Sequence, residues 1–118
     1  MSTRATIHFQ HEGNTEAIVY RHGDGYPDGL GNDLTAFLDD LEANVQDNRF
    51  DDPSYLAAKW IVWDAEKFVE MRKKHGLGKG HRCDFLSIGI VMDDPEDIEY
   101  RYLVGCNGGR PKITVEKV

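Results

Sequence analysis

The stretch Asn32-Asp33-Leu34-Thr35-Ala36-Phe37-Leu38-Asp39-Asp40-Leu41-Glu42-Ala43-Asn44-Val45-Gln46 decides the fold. Leu34, Phe37, Leu38, Leu41 and Val45 recur at helical spacing, which gathers one apolar stripe on one face and leaves the other to carboxylates. Asn32 or Asp33, either able to satisfy free N–H groups, starts this helix, and it runs to about Gln46. An amphipathic helix has to lay its stripe on something, so the flanking segments must supply the rest of a core.

Downstream, Asp52-Pro53 is a second helix start, since Asp caps free donors and Pro has no N–H to lose at the first position. Leu56, Trp60, Trp63 and Met71 carry the pattern to a stop at Gly76, with Arg72, Lys73, Lys74 and His75 in the last turn, where cations suit the helix dipole. The segment reads as one long helix or as two joined near Asp64. Trp60, Trp63, Phe68 and Met71 have the spacing of core residues rather than of a cofactor site.

Upstream, Thr3 to Gln10 and Glu16 to His22 flank Glu12-Gly13-Asn14-Thr15 and read as a β-hairpin. Gly23-Asp24-Gly25-Tyr26-Pro27-Asp28-Gly29-Leu30-Gly31, with four glycines and a proline, reads as a loop without regular structure. Toward the C-terminus, Phe85 to Met92 and Ile98 to Gly105 flank Asp93-Asp94-Pro95-Glu96-Asp97 and predict a second hairpin. Phe85 then faces Val104, Ser87 faces Tyr102 and Gly89 faces Tyr100. Asn107-Gly108-Gly109 turns the chain into a last strand, Lys112 to Val118. The expectation is a single α+β domain over residues 1–118: an antiparallel sheet of about five strands packed against two helices, in the order ββααβββ.

The 118 residues suit one core, and 40% hydrophobic with 30% charged residues describe a chain that folds alone. No apolar run approaches the roughly 20 residues of a membrane span, and Met1 to His8 lacks the apolar segment of a signal peptide. Cys83 and Cys106 are too few for a disulfide framework. The predicted register sets them opposite each other, and in a reducing cytoplasm, the expected compartment, they remain thiols.

Charge is unevenly spread. Between Asp24 and Asp52 nine acidic residues face one basic residue, Arg49, a balance of −8 that exceeds the net charge of −7. Between Lys59 and Arg82 seven basic residues face three acidic ones, a balance of +4. Asp33, Asp40 and Asp47 repeat every seven residues, with Asp39 and Glu42 nearby, and predict a row of carboxylates turned away from the apolar stripe. Such a row resembles the phosphates of a nucleic acid to a basic groove, or else is a solvated face that keeps the protein in solution. Direct binding to nucleic acid or to a membrane is not expected of so acidic a chain.

The loop carries the other candidate chemistry. Arg21, His22, Asp24, Tyr26 and Asp28 stand among glycines that let a backbone approach a ligand. His22 with Asp24 or Asp28 has the composition of a general base and its orienting carboxylate, although no nucleophile accompanies it. An EF-hand is excluded because Tyr26 occupies a ligand position and Thr35 stands where the bidentate Glu belongs; a P-loop is excluded because no Lys-Ser or Lys-Thr pair follows. The competing reading is a structural loop, anchored by Tyr26 and Pro27. His75, His81, Cys83 and Cys106 lack zinc-site spacing, so no metal or cofactor is expected.

At Thr3-Arg4, at Tyr20-Arg21-His22-x-Asp24-Gly25-Tyr26-Pro27-x-Gly29 running into Asp33-Leu34, and at Leu56-Ala57-Ala58, the chain resembles small bacteriophage and prophage proteins of unknown function. The match covers mainly the first half and brings no established catalytic residues. It implies the context of acidic phage accessory proteins that antagonise host machinery, anti-CRISPR proteins among them. The leading expectation is therefore a non-enzymatic inhibitor presenting Asp33, Asp39, Asp40, Glu42, Asp47, Asp51 and Asp52 to a basic host protein or nucleoprotein complex. The alternative is a small hydrolase or transferase acting on a nucleotide-like ligand through His22 and Asp24. A third is a module that binds an acidic partner through Arg72 to Lys79.

Overall fold

The structure is a computed structural model that describes residues 2–78, 80–84 and 87–118. Strands β1 (Ala5–His11) and β2 (Asn14–Arg21) form the expected hairpin. The turn is tighter than expected: Glu12 and Gly13 alone make it, both at positive φ (49° and 81°), the left-handed geometry that matches the twist of two joined strands. Helices α1 (Asn32–Asn44) and α2 (Pro53–Lys74) follow, and then β3 (Ile88–Val91), β4 (Tyr100–Gly105) and β5 (Lys112–Lys117). The α+β class and the order ββααβββ hold.

The sheet is mixed rather than antiparallel, with strand order β3-β2-β1-β4-β5. Strand β4 runs parallel to β1, with Ala5 beside Tyr100 and Phe9 beside Val104. Strand β3 pairs antiparallel with β2, so Gly89 lies beside Tyr20 and not Tyr100. The second hairpin is thus absent, and with it the facing of Ser87 and Tyr102; Phe85 lies outside the described residues. The physical reason is Asp94. Its carboxylate accepts hydrogen bonds from Thr6 Oγ1 at 2.7 Å, His8 Nε2 at 2.7 Å and Arg101 Nε at 2.6 Å. Thr6 and His8 alternate along β1 with Ala5, Ile7 and Phe9, which are buried in the core. Residues 92–99 therefore cross the sheet on the face opposite the helices, pinned by Asp94 in the middle and by the Arg4–Asp97 ion pair further on.

One core joins the inner face of the sheet to both helices through Ile7, Phe9, Val19, Leu34, Phe37, Trp60, Tyr102 and Val104. Phe37 meets the edge of Trp60 at 5.4 Å, and Trp60 stacks on Trp63 at 5.6 Å. Helix α2 is continuous through Asp64, and Met71, expected in the core, is half exposed.

The glycine-rich loop is more ordered than its composition suggests. Pro27–Gly31 forms one wide helical turn, in which the Asn32 N–H reaches Pro27 O, and it leads directly into α1. No side chain caps α1; Asn32 donates to Asp28 O and Asp33 turns to Arg21. Leu30, wholly buried, anchors the loop, whereas Tyr26 is exposed. Gly25 is required by close approach: a Cβ there would stand 2.7 Å from Thr3 O and 2.8 Å from the Ala5 Cβ. Its carbonyl accepts the buried Tyr102 hydroxyl at 2.8 Å. Gly25 and Leu30 of this loop thus have packing roles within their own chain.

Candidate functional site: a cleft between the helices

The carboxylates expected to form a bare row are held by their own chain. Asp33 accepts from Arg21 at 2.9 Å. Asp39 and Glu42 grip Arg110 of the β4–β5 loop at 2.7 and 2.9 Å. Asp47 and Asp52 share Arg49 at 3.3 and 3.0 Å. Asp40 accepts from Asn44 at 2.7 Å and from Trp63 Nε1 at 2.9 Å, and these bonds hold its carboxyl below the usual carboxylate range. Asp51 is exposed. The heptad repeat fails because α1 ends at Asn44, before Asp47. Asp52 begins α2 as expected, but its carboxylate takes Arg49 instead of capping the helix.

The loop residues also stand apart. His22 is exposed with its Nδ1 on the Tyr20 hydroxyl at 2.9 Å, and Asp24 meets the Tyr26 hydroxyl at 3.4 Å. No hydrogen bond joins His22 to Asp24 or Asp28, so the general-base geometry is not formed. Asp28 is exposed. Cys83 is exposed and Cys106 buried, both as free thiols, and burial pushes the Cys106 thiol up to about 11. Among the described residues no group of three or more His, Cys, Asp or Glu is placed to hold a metal ion.

What the fold does build is a cleft of about 740 Å³ where the N-terminal half of α1, the C-terminal half of α2 and the end of β2 diverge. Arg21 enters it from β2, Asp33 and Asp40 from α1, and Trp63, Asp64, Lys67 and Phe68 from α2, with Asp24 at the rim. Arg21 is the organising cation. Its guanidinium is nearly buried and spends its Nη1 on Asp33.

Asp64 is the anomaly of this cleft. Only 13% of its side chain is exposed, yet the nearest cationic nitrogen, Arg21 Nη1, is 4.0 Å away, beyond hydrogen-bonding reach. Among the described residues no donor satisfies the Asp64 carboxylate, although a buried carboxylate ordinarily gathers donors. Burial pushes its carboxyl up; the Arg21 charge works against that rise and Asp33 adds to it.

Pattern reading passes over Asp64, but the signal is present. Leu56 and Trp60 stand eight and four residues before it and Phe68 four after it, so Asp64 occupies a core position of the apolar stripe. A charge there is unfavourable for the fold alone, which makes it informative. No protein-family model, curated protein or solved structure matches the chain.

Proposed function

We propose that this chain is a non-enzymatic interaction protein that takes one cationic side chain of a basic partner protein into the cleft between α1 and α2. The observation that carries the reading is Asp64: a nearly buried carboxylate without a hydrogen-bond donor among the described residues, at the wall of an open cleft. A largely buried carboxylate at the wall of a cleft is short of full solvation, and an arriving guanidinium or ammonium group supplies both the opposite charge and the donors it lacks.

Charge and shape support the same guest. Among the described residues Asp24, Asp33, Asp40 and Asp64 share the cleft with two cations, Arg21 and Lys67, so its described lining is net negative and repels a phosphate-bearing ligand. Trp63 and Phe68 offer ring surface for a guanidinium, and Lys67 Nζ already lies 5.2 Å from the Trp63 ring centroid. The partner class is kept, basic as the charge balance suggests and a host protein or nucleoprotein complex as the resemblance implies; the contact moves from a row on α1 to a pocket beneath it. Asp39, Glu42 and Asp47, exposed outside the cleft and paired at the surface, add a negative field that steers such a partner at low salt.

The test is a titration with an arginine-rich peptide followed by Trp fluorescence or calorimetry, at low and high salt. Affinity is expected to fall as salt rises and to drop about tenfold or more in Asp64→Asn. Binding by Asp64→Asn equal to that of the unmodified chain contradicts the reading. Single reversals separate pocket from row: Asp40 lines the cleft and Asp47 does not, so a pocket account requires a larger loss from Asp40→Lys than from Asp47→Lys.

A further inference from the structure

The pairing of a histidine with an orienting carboxylate, expected at His22, is formed instead at His8. On the sheet face away from the helices, Asp94 Oδ1 stands 2.7 Å from His8 Nε2, and His8 Nδ1 stands 3.1 Å from Thr15 Oγ1. The hairpin register puts Thr15 there. Pairing of β1 with β2 slips by one residue between Phe9 and Gln10, so Thr15 rather than Glu16 lies opposite Gln10. Without that bulge Thr15 would share the face of Ala17 and Val19, the core side of the strand. The protons then have one consistent arrangement. The Asp94 carboxyl lies below 3.8, so at neutral pH it only accepts, and His8 Nε2 donates to it. In the neutral ring Nδ1 is left as an acceptor, and it takes the Thr15 O–H. Gln10 Nε2 donates to the same Thr15 oxygen at 3.0 Å. His8 is shielded, with 13% of its side chain exposed, whereas Thr15 is open to solvent. A hydroxyl within reach of an imidazole whose other nitrogen is fixed by a carboxylate has the parts of an activated nucleophile.

We infer that Thr15 is an acyl-acceptor site, which takes an acyl group from an activated ester or thioester with His8 as its base. Thr15 Oγ bonds to the acyl carbon while its proton passes to His8 Nδ1. The bond from the acyl carbon to the oxygen or sulfur of the leaving group then breaks, and the leaving group takes the proton from His8. The products are a Thr15 ester and a free alcohol or thiol, with no change in oxidation state. Activation of the acyl donor is required because a threonine alkoxide is a stronger base than a phenolate or thiolate, and the weaker base leaves. Asp94 is a positioning residue: it reaches the reacting atoms only through His8, whose orientation it fixes and whose acquired charge it offsets. The chain is itself modified once and does not turn a substrate over. The site lies across the sheet from the cleft and does not rest on the binding reading.

The experiment is incubation of the full chain with p-nitrophenyl acetate and, separately, with S-acetyl-N-acetylcysteamine, followed by mass spectrometric mapping of acetylated peptides. Thr114 serves as the reference within the same chain, being exposed on β5, two strands from His8. With at least one probe, Thr15 is expected to acquire acetyl about tenfold or more faster than Thr114. Thr15→Ser is expected to keep the label and Thr15→Val to lose it, both with unchanged far-UV circular dichroism because the side chain is exposed. His8→Gln keeps a donor for Asp94 but cannot take up the proton, and it is expected to bring Thr15 down to the rate of Thr114. Asp94→Asn, assayed well below its melting temperature, is expected to lower the ratio of the two threonines about tenfold, whereas a purely structural role moves both alike. A Thr15 labelled no faster than Thr114 by either probe overturns the inference. So does a ratio that His8→Gln leaves unmoved.

Discussion

Asp64 and Asp94 lie on opposite faces of the same sheet and are withdrawn from water to almost the same extent, with 13% and 17% of their side chains exposed. Their neighbours are opposite in kind. Asp94 receives three donors at 2.6 to 2.7 Å, whereas Asp64 receives none among the described residues. The carboxyls move in opposite directions as a result. Burial works to raise Asp94, but the hydrogen bonds from Thr6, His8 and Arg101 outweigh it and leave it below 3.8. For Asp64 burial prevails over Arg21, and it ends above 3.8. Similar side-chain exposure therefore has two meanings: a carboxylate supplied with donors fastens the fold, and a more deeply enclosed one without them among the described residues stands ready for a guest.

Removing the fastening is expected to have the largest effect. Asp94→Ala leaves Arg101 and His8 without their acceptor and frees residues 92–99 from the sheet, so a loss of about 3 kcal/mol is expected from the denaturant midpoint. A loss below about 1 kcal/mol breaks the comparison. At the other carboxylate the sign reverses: Asp64→Leu restores the apolar stripe and is expected to stabilise the chain by about 1 kcal/mol while abolishing the binding of an arginine-rich peptide. Gain of stability with loss of binding marks a site kept at the expense of the fold.

The pH dependence sharpens the contrast. The raised carboxyl of Asp64 destabilises the native state when ionised, so its penalty is relieved as pH falls toward 3.8. The lowered carboxyl of Asp94 contributes stability that is present above 3.8 and lost as pH falls through its folded value. Thermal melts of Asp64→Leu should lack the first component and those of Asp94→Asn the second. The smallest effect is expected from Asp47→Lys, whose exposed carboxylate changes melting little and weakens peptide binding about twofold or less.

Most elements are legible in the sequence because periodicity and turn chemistry are local. The apolar stripe of α1, Asp52-Pro53 at the start of α2 and the hairpin around Gly13 all act within a few residues. Strand pairing is less local. Asp93 to Asp97 has the composition of a tight turn, yet Asp94 finds its partners Thr6 and His8 far along the chain, and that distant polar network converts a turn into a crossing. The acidic residues misled for the same reason: Arg21 and Arg110 neutralise carboxylates to which they are not adjacent in sequence. The site itself was written in one position, Asp64, where a charge interrupts the stripe of Leu56, Trp60 and Phe68.

The central claim is that Asp64 is an ionisable group short of a donor that a cationic guest supplies. It is tested most directly by following the side-chain carboxyl carbon of Asp64 by NMR through an acid titration, alone and with an arginine analogue. The account predicts a midpoint above 3.8 in the free chain that falls when the analogue binds, while Asp94 stays put. A free-chain midpoint at or below 3.8, or one that ignores the analogue, contradicts it.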